Sequence, residues 1–453
     1  MSAKSYEMDM CNGPLGGKII RFALPLMFSS MLQLLFNAAD VIVVGRFAGS
    51  EALAAVGSTG SLVNLLLNLF VGMSVGANVV VARALGAKNR HGANNAVHTS
   101  ILLSLIGGVI IGIIGMVFAK PLLKLMSFPE NVIDLSAVYM RVYFAGMPAV
   151  LLYNYGSAIL RAIGDTKRPL VILLLAGILN VGLNLFFVIN LHMSVAGVAL
   201  ATIISQILSA ALVLRCLAKG SGIIKFEFKK LKMHKQSFLK ILKIGIPAGL
   251  QGMVFSFSNI VLQSTINTFE SDVMAGNAAS GNIEGFIYVA MNSFYQAAIT
   301  FTGQNMGAGQ YKRIPKILKW CYTYCTAISI VLISLTVVFS RQLLEIYTSS
   351  EPVIEAGMIR LRYVCGPYVL CGLMEVSLGV LRGMGLSLLP TIVSILGACG
   401  LRLLWIAFVF PMFNTINAVY AVYPVSWSVT VAAHVVCIII SYKRLTARQR
   451  AIV

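Results

Sequence analysis

A chain of 453 residues that is 58% hydrophobic and only 11% charged, with a mean hydropathy of +0.86, has more apolar surface than a soluble core can bury. Its formal net charge of +20, from 35 Lys and Arg against 15 Asp and Glu, raises the question of a nucleic-acid partner. The basic residues fall at the ends of apolar segments, where membrane topology puts them, so composition excludes a soluble domain and predicts no nucleic-acid partner but an all-α polytopic membrane protein.

In chain order, twelve apolar segments lie near or above the roughly 20 residues that a helix needs to cross the hydrocarbon. They span 19–44, 52–82, 94–118, 134–160, 169–190, 195–217, 240–269, 275–304, 315–339, 355–381, 388–412 and 418–441. The first is too long for the apolar core of a cleavable signal peptide and is expected to act as an uncleaved anchor. Arg83, Lys88 and Arg90 follow the second segment, Lys167 and Arg168 the fourth, and Lys312, Arg313, Lys316 and Lys319 the eighth. The longest polar stretch, Lys219–Lys243, carries Lys225, Lys229, Lys230, Lys232 and Lys235, and the chain ends with Lys443, Arg444, Arg448 and Arg450. The opposite loops carry Glu51, Glu130, Glu270, Asp272, Glu345 and Glu351. This asymmetry predicts a multi-pass protein of the cell (plasma) membrane with both termini cytoplasmic. The eight cysteines, Cys321 and Cys325 among them, lie mostly inside apolar segments, where Cys behaves as a small hydrophobe.

The two halves of the chain repeat each other at a shift near 221 residues. Pro25 in KIIRFALP meets Pro247 in KILKIGIP, and Gly86-Ala87 meets Gly307-Ala308. Arg161, Gly164 and Pro169 in LRAIGDTKRP meet Arg382, Gly385 and Pro390 in LRGMGLSLLP with identical spacing. The predicted organisation is an N-terminal six-helix lobe over 1–218, a basic cytoplasmic linker over 219–239 and a C-terminal six-helix lobe over 240–453, related by pseudo-two-fold symmetry.

Of the acids, only Asp40, Glu284 and Glu375 lie well inside apolar segments. A carboxylate at the centre of a spanning helix costs about 2.5–3.5 kcal/mol on insertion scales, so such a residue is more often kept for ion or substrate handling than for stability. Gln33, Asn37 and Asp40, at i, i+4 and i+7, share one face of the first helix. Asn180 and Asn184, one turn apart on the fifth, and Thr202 on the sixth add two amides and a hydroxyl, hard oxygen ligands that suit a small cation or a proton relay. In the second half, Glu284, Tyr288, Asn292 and Tyr295 form another one-face stripe, an acid flanked by aromatic rings of the kind that holds lipophilic cations. Glu375 stands two turns before Arg382, where a structural pair and a functional role are equally open. Intramembrane charge therefore reads as mostly acidic and favours cationic, aromatic drugs as substrates.

In its early proline and mid-helix Asp40, its Gly-Ala turns, its LR-x-x-G elements and the strings GQNMGAG and LRAIGDTKRP, nearly the whole chain resembles the multidrug and toxic compound extrusion (MATE) family. The resemblance implies the MATE fold, with two six-helix lobes around a central cavity, and drug efflux by rocker-switch alternating access, driven by protons or sodium. It is similar to the DinF-like branch, which implies ion coupling at Asp40, Asn180 and Thr202. Asn184 departs from that pattern, standing where an Asp is often expected, and leaves one carboxylate. The span 247–269 lacks the acid of the NorM-like branch. The resemblance also implies that bending of the first helix at Pro25 accompanies the ion state of Asp40. No catalytic cluster appears, since the five His are scattered, so the chain is expected to be a non-enzymatic transporter without a cofactor, its only metal an Na+ at Asp40, acting as a monomer in the lipid bilayer. The alternative is a lipid-linked oligosaccharide flippase of related architecture, which calls for a large cationic cavity to hold a diphosphate.

Overall fold

The computed structural model describes residues 8–125, 130–220 and 224–450. The first seven residues of the predicted first lobe, three of the predicted linker, and the side chains of Arg448 and Arg450 lie outside the described residues. All twelve predicted segments form helices, and no strand occurs among the described residues. They are α1 (Leu15–Phe47), α2 (Ser50–Gly86), α3 (Arg90–Leu125), the bent α4 (Glu130–Ala145 and Met147–Ile163), α5 (Lys167–Asn190) and α6 (Ser194–Ala218). The second series is α7 (Lys235–Ile266), α8 (Ser271–Gly307), α9 (Tyr311–Val338), α10 (Glu351–Gly383), α11 (Leu388–Phe413) and α12 (Ile416–Arg450). By length and composition ten of these are apolar enough to cross a membrane, and the two parts of α4 do so together. The 50° bend in α4 falls at Gly146, just before Pro148, whose ring cannot follow a regular helical turn.

Matching turns carry the sequence repeat into structure. After α2 the Ala87 amide donates to the Arg83 carbonyl and the Asn89 amide to the Ala84 carbonyl; after α8, Ala308 donates to Gln304 and Gln310 to Asn305. The residue between is left-handed in both, Lys88 at φ 54° and Gly309 at φ 68°. After α4 and α10 the LR-x-x-G elements close the helix alike: Gly164 and Gly385 have φ of 96° and 78° and donate to the carbonyls of Arg161 and Arg382.

The chain divides into two compact units. One comprises Met1–Asp9 and Phe28–Gly249, the other Met10–Met27 and Leu250–Val453. The unit boundaries thus run through α1 and α7, each just after its proline, Pro25 or Pro247. The early part of α1 is built into the second unit: Phe22 packs edge-on against Phe301 with ring centroids 5.6 Å apart, and the buried Asn305 amide donates to the Met10 carbonyl at 3.1 Å.

Likewise, the early part of α7 is built into the first unit, through two glycine pairs. Gly72 and Gly76 of α2 face Gly245 and Gly249 of α7 so closely that a Cβ on Gly245 would lie 2.6 Å from the Met73 Cα. In lipid, where apolar side chains gain little by leaving their solvent, such small-residue approaches let backbones pack. The basic segment ahead of α7 is also tied down. His98 stacks on Phe226 at 5.3 Å and accepts the Glu227 amide on Nε2, Asn94 accepts the Lys225 amide, and Thr99 accepts the His234 amide.

Candidate functional site

In the first unit the structure brings Asp40, Asn184, Asn180 and Thr202 into one hydrogen-bonded line. Asn184 Nδ2 donates to Asp40 Oδ1 and also faces Asn180 Oδ1 at 3.4 Å. Asn180 Nδ2 in turn faces Thr202 Oγ1 at 3.4 Å, and that hydroxyl donates to the Val198 carbonyl at 3.0 Å. Helix spacing places the two amides one turn apart on α5. Close approach of α5 to α1 does the rest: Gly177, two turns before Asn184, lies against the Phe36 ring, which stands one turn before Asp40. A side chain at Gly177 would occupy the ring's place.

The line ends in an unmet polar atom. Asn184 is fully buried, and its Oδ1 has no hydrogen-bond partner among the described residues. A buried amide oxygen without a donor forfeits about 1–3 kcal/mol, so the arrangement fits an added cation or proton donor. One helical turn along from Asp40, Asn184 and Thr202, Val44, Val188 and Val198 belong to one buried apolar cluster with Val43 and Val195. Immediately after Asn184 the helix widens into a π-helical turn, Phe186–Asn190, a local departure that is common at functional sites. Gln33 and Asn37 are exposed on the same face of α1 as Asp40.

The second unit differs from the expected free acid between two aromatic rings. Glu284 is buried and grips Arg360 of α10 with both oxygens, Nε to Oε1 at 2.9 Å and Nη2 to Oε2 at 2.8 Å. Arg360 Nη1 also donates to Asn277 Oδ1, which accepts the Tyr420 hydroxyl at 3.3 Å, and the Asn277 amide donates to Gln263 Oε1 at 2.9 Å. Tyr295 is buried and accepts a hydrogen bond from Arg382, whose Nη2 reaches Gln251 Oε1 at 2.9 Å. Of the predicted stripe, Tyr288 remains exposed and Asn292 half-buried. Glu375 is buried, and no ion pair joins it to Arg382 among the described residues.

The reading of mostly acidic intramembrane charge is therefore corrected. Arg360, Arg382 and Arg402 are 8%, 4% and 3% exposed, and among the described residues of the second unit these three buried cations outnumber the two buried acids, Glu284 and Glu375. Arg360 begins its apolar run and escapes notice at a segment edge. Arg402 lies in the middle of LGACGLRLLWIAF, and that isolated cation was a readable signal.

The family model described as MatE matches residues 25–186 and 247–408, one match in each half of the chain. The chain belongs to the MatE family. A relative in Bacillus subtilis, the "Probable multidrug resistance protein YoeA", is 28% identical over 418 residues, 90% of each chain. Another, the "FAD transporter" of Shewanella oneidensis, is 23% identical over 350 residues, 76% of this chain and 77% of its own. In fold, the chain is similar to a solved MATE structure in complex with MaL6, with a TM-score of 0.90, 24% identity and coverage of 99% of this chain and 100% of that one. The MatE membership and the helices described make this a multi-span membrane protein with the MATE fold.

Proposed function

We propose that this chain is a secondary active multidrug efflux transporter, exchanging small organic molecules for protons or sodium, with coupling at the Asp40–Asn184–Asn180–Thr202 cluster. The observation that carries the reading is the half-buried Asp40 beside the orphaned Asn184 Oδ1. With Asp40 ionised, the Asn184 amide donates to the carboxylate. A sodium ion can be met by the carboxylate together with amide and hydroxyl oxygens of Asn184, Asn180 and Thr202. A proton on Asp40 turns that carboxyl into a donor, for which Asn184 Oδ1 is the waiting acceptor. Either event cancels the one charge of the cluster, and opposite charge states then favour the inward-open and outward-open arrangements of a rocker-switch cycle, with α1 bending at Pro25. One charge crossing a potential of about 100 mV supplies about 2.3 kcal/mol, enough to bias such a cycle.

Drug efflux has the YoeA relative behind it, and cationic aromatic cargo has the exposed Tyr288 and the acid at Asp40. The FAD transporter relative supports a cargo range wider than cations. A lipid-linked oligosaccharide flippase has weaker support. Arg360 is neutralised by Glu284 and Arg382 is engaged by Tyr295 and Gln251, so fewer guanidinium groups remain than a diphosphate calls for. The protein is read as a monomer in the cell membrane with both termini cytoplasmic and the two lobes moving about the basic linker. The test is uptake and release of a fluorescent lipophilic cation in proteoliposomes under separate proton and sodium gradients. Gradient-driven movement with one ion supports the antiporter and identifies the ion; no movement with either sinks it.

A further inference from the structure

Arg402 lies between two π-helical turns of α11, Ile395–Gly400 and Trp405–Val409, with one short α-helical turn between them. It is 3% exposed. Unlike Arg360, it forms no ion pair with a carboxylate among the described residues. Its hydrogen bonds are to neutral groups and long: Nε to Ser426 Oγ at 3.3 Å and Nη1 to Asn259 Oδ1 at 3.4 Å. Its carbon stands 4.7 Å from the Tyr423 ring centroid and 6.0 Å from that of Trp427.

A guanidinium carries five N–H donors in a planar fork, and two long bonds to neutral oxygens leave most of that capacity unused. The aromatic faces hold the fork in place without neutralising it. An arginine at mid-helix costs about 2.5–3.5 kcal/mol on insertion scales, and no carboxylate among the described residues pairs with it to offset this. Asn259, the partner of Nη1, is exposed on α7, as is Gln263 one turn on, and Gln263 is hydrogen-bonded at 2.7 Å to the exposed Asn267 just past the end of the helix. A row of exposed amides on a membrane-crossing helix provides polar contact for a charged group that lipid would reject.

We propose that Arg402, assisted by Asn259 and Ser426, is an anion-recognition site that takes the carboxylate of an organic substrate. The planar fork matches a carboxylate with two parallel hydrogen bonds, and the short walls of Tyr423 and Trp427 fix its direction. The assignment rests on the transport reading above in that the carboxylate belongs to a cargo molecule. It widens that cargo from cations to zwitterions and organic anions. The competing role for Arg402 is purely a staple of α11 to α12 through Ser426, Tyr423 and Trp427.

The experiment uses purified full-length protein and two dyes differing in one group, rhodamine B with its free carboxylate and its ethyl ester, with affinities read by fluorescence anisotropy. Arg402→Gln is expected to weaken rhodamine B binding by about ten- to a hundred-fold and to leave the ester unchanged. Arg402→Lys should recover part of the loss. A staple would move both dyes together or neither, and either result overturns the site. Should Arg402→Gln fail to fold, Asn259→Leu and competition on the wild type decide. Selective loss of rhodamine B binding in Asn259→Leu, and its displacement by benzoate but not benzamide, support the site; equal effects overturn it. Export of the ester from proteoliposomes reports on transport separately. Export intact without carboxylate selectivity removes only the Arg402 assignment. Selective binding without export leaves the site and refutes the transport reading.

Discussion

Replacing Glu284 with Gln keeps the length of the side chain and one acceptor oxygen but removes the charge that Arg360 faces. The two side chains are 7% and 9% exposed and meet through two bonds, of 2.9 and 2.8 Å, so water screens them little. Charge centres about 4 Å apart attract by about 4 kcal/mol at an effective dielectric near 20. Removing one partner of a buried pair typically costs about 3–5 kcal/mol, because the remaining charge keeps its desolvation penalty and loses its compensation. Glu284→Gln is therefore expected to lower stability by about 3–5 kcal/mol. The double variant Glu284→Gln/Arg360→Met removes both charges and should be more stable than the single one, its remaining deficit coming from Asn277 and Tyr420. Chemical unfolding in detergent, followed by the fluorescence of the three tryptophans, measures both. Wild-type stability in the single variant together with lost binding of cationic dyes would refute this reasoning and return Glu284 to the role of a free cation-binding acid.

Gly245→Ala sets a Cβ 2.6 Å from the Met73 Cα and should cost about 1–3 kcal/mol, whereas Gly281→Ala, where a Cβ meets nothing within 4 Å, serves as the control. Equal thermal shifts for the two would contradict the close-packing account of α2 and α7. Lys88→Gly relieves a left-handed backbone that the second half of the chain assigns to Gly309, and a gain of about 0.5–1 kcal/mol is expected; a loss would show that the Lys88 side chain matters more than its backbone. Asp165 sits in the turn between α4 and α5, where burial pushes its carboxyl above the usual range in spite of the neighbouring Arg168. The folded state therefore holds that proton more firmly than the unfolded state. The resulting stability is fully present below the ordinary value of about 3.9 and is lost as pH rises through the raised one. Asp165→Asn should flatten the melting temperature against pH from about pH 4 upward, and an unchanged slope would exclude this group.

Eleven of the twelve helices were legible because bilayer length imposes long apolar runs, α8 being less apolar than the rest, and the Asp40 quartet was legible because polar residues in such runs are few. Helical spacing put Asn180 and Asn184 together, but the contact of Asn184 with Asp40 depends on Gly177 yielding to Phe36, which no single helix reveals. The partner of Glu284 was not legible for a related reason: Arg360 sits at the edge of its apolar run, and only the packing of α8 against α10 turns it into a buried counter-ion. Passage of α1 and α7 from one unit to the other was hidden as well. The prolines marked the places, but the glycine pairs of α2 and α7 act across more than 160 residues of chain and become meaningful only in contact. Arg402 was readable and shows that isolated cations merit the same attention as isolated acids.

The coupling role proposed for Asp40 is tested most directly by comparing wild type with Asp40→Asn in proteoliposomes under the driving gradient, with dye binding measured in parallel on the same preparations. The account predicts that the variant binds a lipophilic cationic dye yet fails to move it against its gradient. Wild-type accumulation by Asp40→Asn would contradict the account.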